Sequence, residues 1–226
     1  MDFLLVSVLA VLGLAAVLVF EFVHPSAKLA GLASGRNSLA GNLSLKILIG
    51  NRIGASIFFP LIAYLIESGL KTQKVVSIIF FGLFIGGVAL VLFVVKLDKL
   101  VQVFARLLEP AFEADNNHRP RFRFDSVVIF GVIAGVVSHM GMLGPLLAST
   151  VFPEYRLTMT HAGGIFNGVF TLIVVFVVDN KLSRYCDAGD QYAFVYLRNF
   201  FVGRLIATMI FIGILFMLPY VPVTTA

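Results

Sequence analysis

Three arginines stand where arginine is costly. Arg52, Arg198 and Arg204 each lie inside a long apolar run, Arg204 about eleven residues into the last one. A guanidinium near the centre of a membrane-crossing helix costs at least about 2.5–3.5 kcal/mol on insertion scales. Such a residue faces a partner, a cavity or a pathway, and its planar fork is shaped to hold phosphate oxygens two at a time. Opposing acids are few: Glu21 ends the first apolar run and Asp179 the fifth. Glu21 is placed to neutralise Arg52, and Asp179 to neutralise Arg198, leaving Arg204 with no obvious carboxylate at its depth. Two readings of these residues stay open. They are either buried ion pairs that orient a bundle, or a net positive interior suited to an anionic ligand.

Two further polar side chains fall inside apolar runs, His139 in the fourth and Asn167 in the fifth. Each type commonly bridges helices by hydrogen bonds, although His139, Asn167 and Arg204 could share one polar cavity. The motifs of soluble catalysis are missing: no phosphate-binding loop, no dinucleotide glycine fingerprint, no nucleophile elbow. His24, His118, His139 and His161 lack the spacing of metal ligands. The sequence therefore carries an expectation of no metal, no cofactor and no enzymatic activity. Any driving force for transport would come from an ion or substrate gradient.

The elements that must position these residues follow from composition. Of the 226 residues, 59% are hydrophobic and only 13% charged, and the mean hydropathy is +0.99. A soluble domain carries about 25% charged residues. Six apolar runs, at residues 3–23, 45–66, 75–95, 127–152, 161–178 and 193–218, predict six membrane-crossing helices in an all-α polytopic bundle that forms a single integral membrane domain. The formal charge of +5 fits basic loops and contact with membrane lipids rather than nucleic acid. Lys28, Arg36 and Lys46, then the Lys96–Arg123 cluster, then Lys181 and Arg184 fall on one side, against Lys71, Lys74 and Arg156 on the other. The positive-inside rule places both termini outside the membrane. The single cysteine, Cys186, excludes an internal disulfide.

The linker at 97–125 is the one sizeable polar segment. Leu97, Leu100, Val101, Phe104, Leu107, Leu108 and Ala111 recur at helical spacing, predicting an amphipathic cytoplasmic helix that continues helix three or lies in the interface. The pairs Gly50 and Gly54, Gly82 and Gly86, Gly131 and Gly135, and Gly164 and Gly168 predict close helix contacts. Pro60 and Gly144-Pro145 predict kinks.

With these residues in hand, the chain resembles the Amj family of lipid II flippases. The resemblance rests on three blocks: Glu21 through Lys28-Leu29-Ala30-Gly31 to Arg52; Pro153-Glu154-Tyr155-Arg156, Gly164-Ile165-Phe166-Asn167-Gly168 and Val177-Val178-Asp179; and Gly203-Arg204-Leu205. It departs at His24-Pro25 and at Asn51-Arg52-Ile53. The resemblance implies translocation of lipid II, the undecaprenyl-diphosphate-linked peptidoglycan precursor. Arg52 and Arg198 would receive the head group and Arg204 would hold the pyrophosphate near the midplane, with Glu21, His139, Asn167 and Asp179 around it. Another anionic polyprenyl-phosphate lipid would suit the same arginines, and a small-solute or ion transporter is the runner-up class. A homodimer is open to a bundle this small.

Overall fold

A computed structural model of the chain describes residues 2–111, 124–155 and 174–217, together with residues 158–159, 162–163, 165–166, 169 and 172. All regular structure among the described residues is helical. The helices are α1 (Phe3–Ser34), α2 (Asn37–Glu67), α3 (Thr72–Leu108), α4 (Ser126–Val151), α5 (Asn180–Asp187) and α6 (Tyr192–Met217). A 3₁₀ turn at Pro153–Tyr155 follows α4, and a π-helical stretch at Val174–Asp179 leads into α5. Five of the helices, α1, α2, α3, α4 and α6, are long and apolar enough to cross a membrane. Bulky apolar side chains such as Leu4, Phe81, Leu92, Ile133 and Phe216 cover the outside. Surface of that kind belongs against lipid. The chain is a helical membrane protein.

The first two helices are longer than the apolar runs. Helix α1 continues through His24-Pro25 to Ser34, and only Gly35 and Arg36 separate it from α2. Its 32 residues span about 48 Å, more than the ~30 Å hydrocarbon core requires. Polar residues ended the run in the sequence without ending the helix, because backbone bonding continues beyond the lipid. Lys28, expected in a loop, is therefore helical. Asp2 caps the N-terminus by accepting from the Leu4 amide at 2.9 Å. Gly35 stops the helix in the left-handed region, at φ 68°, where a side chain would be strained.

A proline inside α1 needs an explanation. Pro25 has no N–H to offer the carbonyl of Glu21, four residues earlier. The His24 ring fills that role: its Nδ1 lies 2.9 Å from the Glu21 carbonyl oxygen. A carbonyl only accepts, so Nδ1 donates, and Nε2 is left facing away from the backbone.

Helix α3 runs on past its apolar segment, with a break in helical geometry at Lys96 (φ −110°, ψ 17°). The first half of the expected linker is thus a continuation of α3. Leu97, Val101 and Ala105 are buried and Phe104 and Leu108 are partly buried, as the amphipathic pattern requires, whereas Leu107 points outward. Residues 112–123, including the Arg119-Arg123 stretch, lie outside the described residues.

Packing divides the helices into two groups. Helix α1 lies against α2 and α3, α4 lies against α6, and α3 and α6 close the seam between the groups. Small residues set the approach. Leu14 and Leu18 of α1 sit over Gly82 and Gly86 of α3, and Gly54 of α2 faces Val17 and the Gly13 carbonyl. Between α4 and α6 a Cβ on Gly131 would stand 2.5 Å from the Phe200 carbonyl oxygen, and one on Gly203 would strike the Val128 carbonyl. Three of the expected glycine pairs lie at such contacts, the Gly164 and Gly168 pair lies outside the described residues, and Gly203 is an addition.

Direction follows from the same contacts. Asp125, at the start of α4, accepts from the Tyr192 hydroxyl at the start of α6, 2.8 Å away. Further along, Gly135 meets Ala207, and His139 meets Thr208. Helices α4 and α6 therefore run parallel. Of the described positions between them, Gly163 and Phe166 both pack on α4 at Gly141, with Met142 and Pro145 beside Gly163.

Candidate functional site

The costly charges are paired, but not as their order in the sequence suggested. Arg204 lies on α6 with its side chain 1% exposed, and its Nη2 is 2.8 Å from Oε1 of Glu21 on α1, whose side chain is 16% exposed. Its guanidinium carbon also stands 5.2 Å from the centre of the Phe22 ring, a cation–π contact in a setting without competing water. The expectation that Arg204 lacks a carboxylate is corrected. Glu21 is not bound to Arg52. Glu21 lies on the side of α1 that meets α6, whereas Arg52 points outward from α2.

Arg52 is exposed on α2. Its neighbour Asn51 is the inward residue, donating from Nδ2 to the Val17 carbonyl at 2.7 Å. Successive residues on a helix are about 100° apart, so one of the two had to face out. The reading of Arg52 as an interior residue is therefore corrected.

Arg198 and Asp179 do not meet either. Arg198 is held by Asp98 of α3, with Nη2 3.1 Å from each carboxylate oxygen. Asp179 closes onto α1 instead: its Oδ2 lies 3.3 Å from Lys28 Nζ and 3.6 Å from His24 Nε2. The imidazole thus bridges two elements, its Nδ1 on the Glu21 carbonyl and its Nε2 toward Asp179. Glu21, His24 and Lys28 follow one another at spacings of three and four on one face of α1. That stripe was legible in principle, but only if the helix runs through Pro25.

His139 is fully buried on α4, with Nε2 3.0 Å from the Thr208 hydroxyl and its ring edge-on to Phe211 at 5.6 Å. Thr208 in turn donates to the Arg204 carbonyl at 2.9 Å. With that hydroxyl proton spent on the carbonyl, Thr208 accepts from Nε2–H, and Nδ1 has no hydrogen-bond partner among the described residues. Asn167 lies outside the described residues, so of the expected trio only His139 and Arg204 are brought together. Their common link is one turn of α6.

Residues that the sequence reading missed are His24, Lys28, Asp98, Thr208 and Asn51. Each is a short-range consequence of helix phase, which apolar runs alone do not give. Among the described residues no group of three or more His, Cys, Asp or Glu side chains could hold a metal. Cys186, on α5, is buried, and burial pushes its thiol up to about 11, with Lys28 pulling the other way and Asp187 adding to the rise.

The fold and these charges define a class: a helical membrane protein whose two helix groups are joined through ion pairs, Glu21–Arg204 the buried one. Compared with protein-family models, characterised proteins and solved structures, the chain gives no match.

Proposed function

We propose that this protein carries an anionic lipid-linked substrate across a bacterial inner membrane, with lipid II the first candidate. The observation that carries the reading is the Glu21–Arg204 pair, buried between α1 and α6 and therefore between the two helix groups. A buried pair is no better for stability than well-packed apolar side chains, and intramembrane charge is most often kept for a substrate or ion pathway. A diphosphate can replace the Glu21 carboxylate on the Arg204 guanidinium, since both present a pair of acceptor oxygens to the fork. Exchange of that partner would loosen the contact between the groups as the substrate enters. The resemblance to the lipid II flippases supplies the choice of substrate.

Six crossings complete this reading. Parallel α4 and α6 call for one return crossing between them, for which the apolar run at 161–178 is the candidate. Both termini then lie on the outer side, with the basic ends of α1, α3 and α5 inside.

The test is a proteoliposome assay with labelled lipid II, comparing wild type with Arg204→Ala and Glu21→Gln. Transport by wild type that is lost in folded Arg204→Ala supports the reading. Folded wild type that moves no lipid II under a proton or sodium gradient overturns it, and the same assay with undecaprenyl phosphate then examines the related carrier lipid. A small-solute transporter is favoured by one observation, the run of titratable side chains Glu21, His24 and Asp179 along one side of α1. Gradient-dependent solute uptake without lipid movement is its signature.

A further inference from the structure

We infer that the outward face of α2 is a docking strip for an anionic lipid, with Arg52 taking the lipid phosphate and Lys46 preceding it along the helix. The inference deepens the transport reading and rests on it for its purpose, but binding can be measured without transport.

Helix α2 is the least covered of the crossing helices: only 22% of its most apolar window is buried within the protein. Its outward stripe is what lipid requires, with Leu45, Ile49, Ile53 and Ile57 all exposed. Arg52 and Lys46 are both exposed and flank that stripe, about 120° apart around the helix. Arg52 stands midway along the 31 residues of α2, so about 23 Å of helix extends on either side. Its level is fixed by contacts on the inner face. Asn51 bonds to Val17, Leu18 sits over Gly86, and Gly87 faces Thr208, the partner of His139. Arg52 is thus level with the buried polar groups on the other side of the bundle, at a depth where water is scarce.

A guanidinium there needs a counter-anion. Among the described residues none of the salt bridges involves Arg52: Glu21 holds Arg204, Asp98 holds Arg198, Asp179 holds Lys28 and His24, and Glu109 holds Arg36. A second copy of the chain does not supply the anion either. A two-fold dimer through this face would set α2 against α2, and the one acid on α2, Glu67, ends the helix far from Arg52. A lipid phosphate meets every requirement. Its oxygens match the guanidinium fork, its tail lies along Ile49, Ile53 and Ile57, and Lys46, about 9 Å toward the N-terminal end, offers the first charge on entry.

The experiment is native mass spectrometry of the full chain in detergent, titrated with undecaprenyl phosphate and, separately, with zwitterionic phosphatidylcholine. Wild type should retain undecaprenyl phosphate in preference, and Arg52→Ala should bind it about tenfold more weakly. Arg52→Lys should fall between, because it keeps the charge and loses the fork. Thermal unfolding of Arg52→Ala should match wild type, since the side chain is exposed. Equal retention by wild type and an Arg52→Ala, Lys46→Ala double variant overturns the inference. So does phosphatidylcholine binding as strongly as undecaprenyl phosphate, or an Arg52-dependent dimer without lipid. Failure of the transport reading looks different: Arg52-dependent lipid binding persists while proteoliposomes move no lipid.

Discussion

The Glu21–Arg204 pair allows a quantitative test that does not depend on any substrate. At 2.8 Å and an effective dielectric constant near 20, Coulomb attraction is about 6 kcal/mol. Desolvation of a guanidinium only 1% exposed offsets several kcal/mol of this. The coupling that remains between the two side chains should be about 2–3 kcal/mol. Arg204→Met keeps much of the volume packed against Phe22 and Gly135 but leaves Glu21 buried with no cation, and should cost about 3–5 kcal/mol. Glu21→Gln keeps an acceptor oxygen and should cost about 2–3 kcal/mol. The double variant buries neither an unpaired acid nor an unpaired base, so its loss should fall well short of the sum. Reversible unfolding by SDS in mixed micelles, followed by circular dichroism, measures all four species. Additivity within about 0.5 kcal/mol would show that the two side chains do not share a buried bond, and both the site and the functional reading built on it would fall.

Three further outcomes follow from local geometry. His24→Ala should destabilise the protein by about 1–2 kcal/mol, because it orphans the Glu21 carbonyl. Adding Pro25→Ala should recover part of that loss, since the substitution restores the missing backbone N–H; SDS titration of the single and double variants checks the reversal. Gly203→Ala should cost about 1–3 kcal/mol by overpacking the α4–α6 contact, whereas Gly213→Ala, with open space around it, should cost nothing and stabilise by up to about 1 kcal/mol in the same titration. With its thiol pushed up to about 11 by burial, Cys186 holds on the order of 10⁻⁴ thiolate at pH 7. Its maleimide labelling should be slow in the folded protein, rise with pH, and become fast after denaturation.

Much of the architecture was legible in the residues. Charge scarcity and long apolar runs mark a helical membrane protein because lipid cannot satisfy an open backbone. The glycine pairs mark close contacts because only small residues let helices approach so nearly. Helix ends were less legible. Pro25 looked like a stop, yet the His24 ring supplies the donor that the proline lacks, and α1 runs on for nine more residues to Ser34.

The sequence by itself determined that this chain lives in lipid, roughly where five of its crossing helices lie, and that its few buried charges would need partners. Tertiary structure decided which partners those are. Ion pairing depends on the depth and rotation of each side chain, and a one-residue change of phase moves a side chain by about 100°. That is why Asn51 points into the bundle while Arg52 points out of it. It is also why Glu21 meets Arg204 on α6 and not Arg52 on α2.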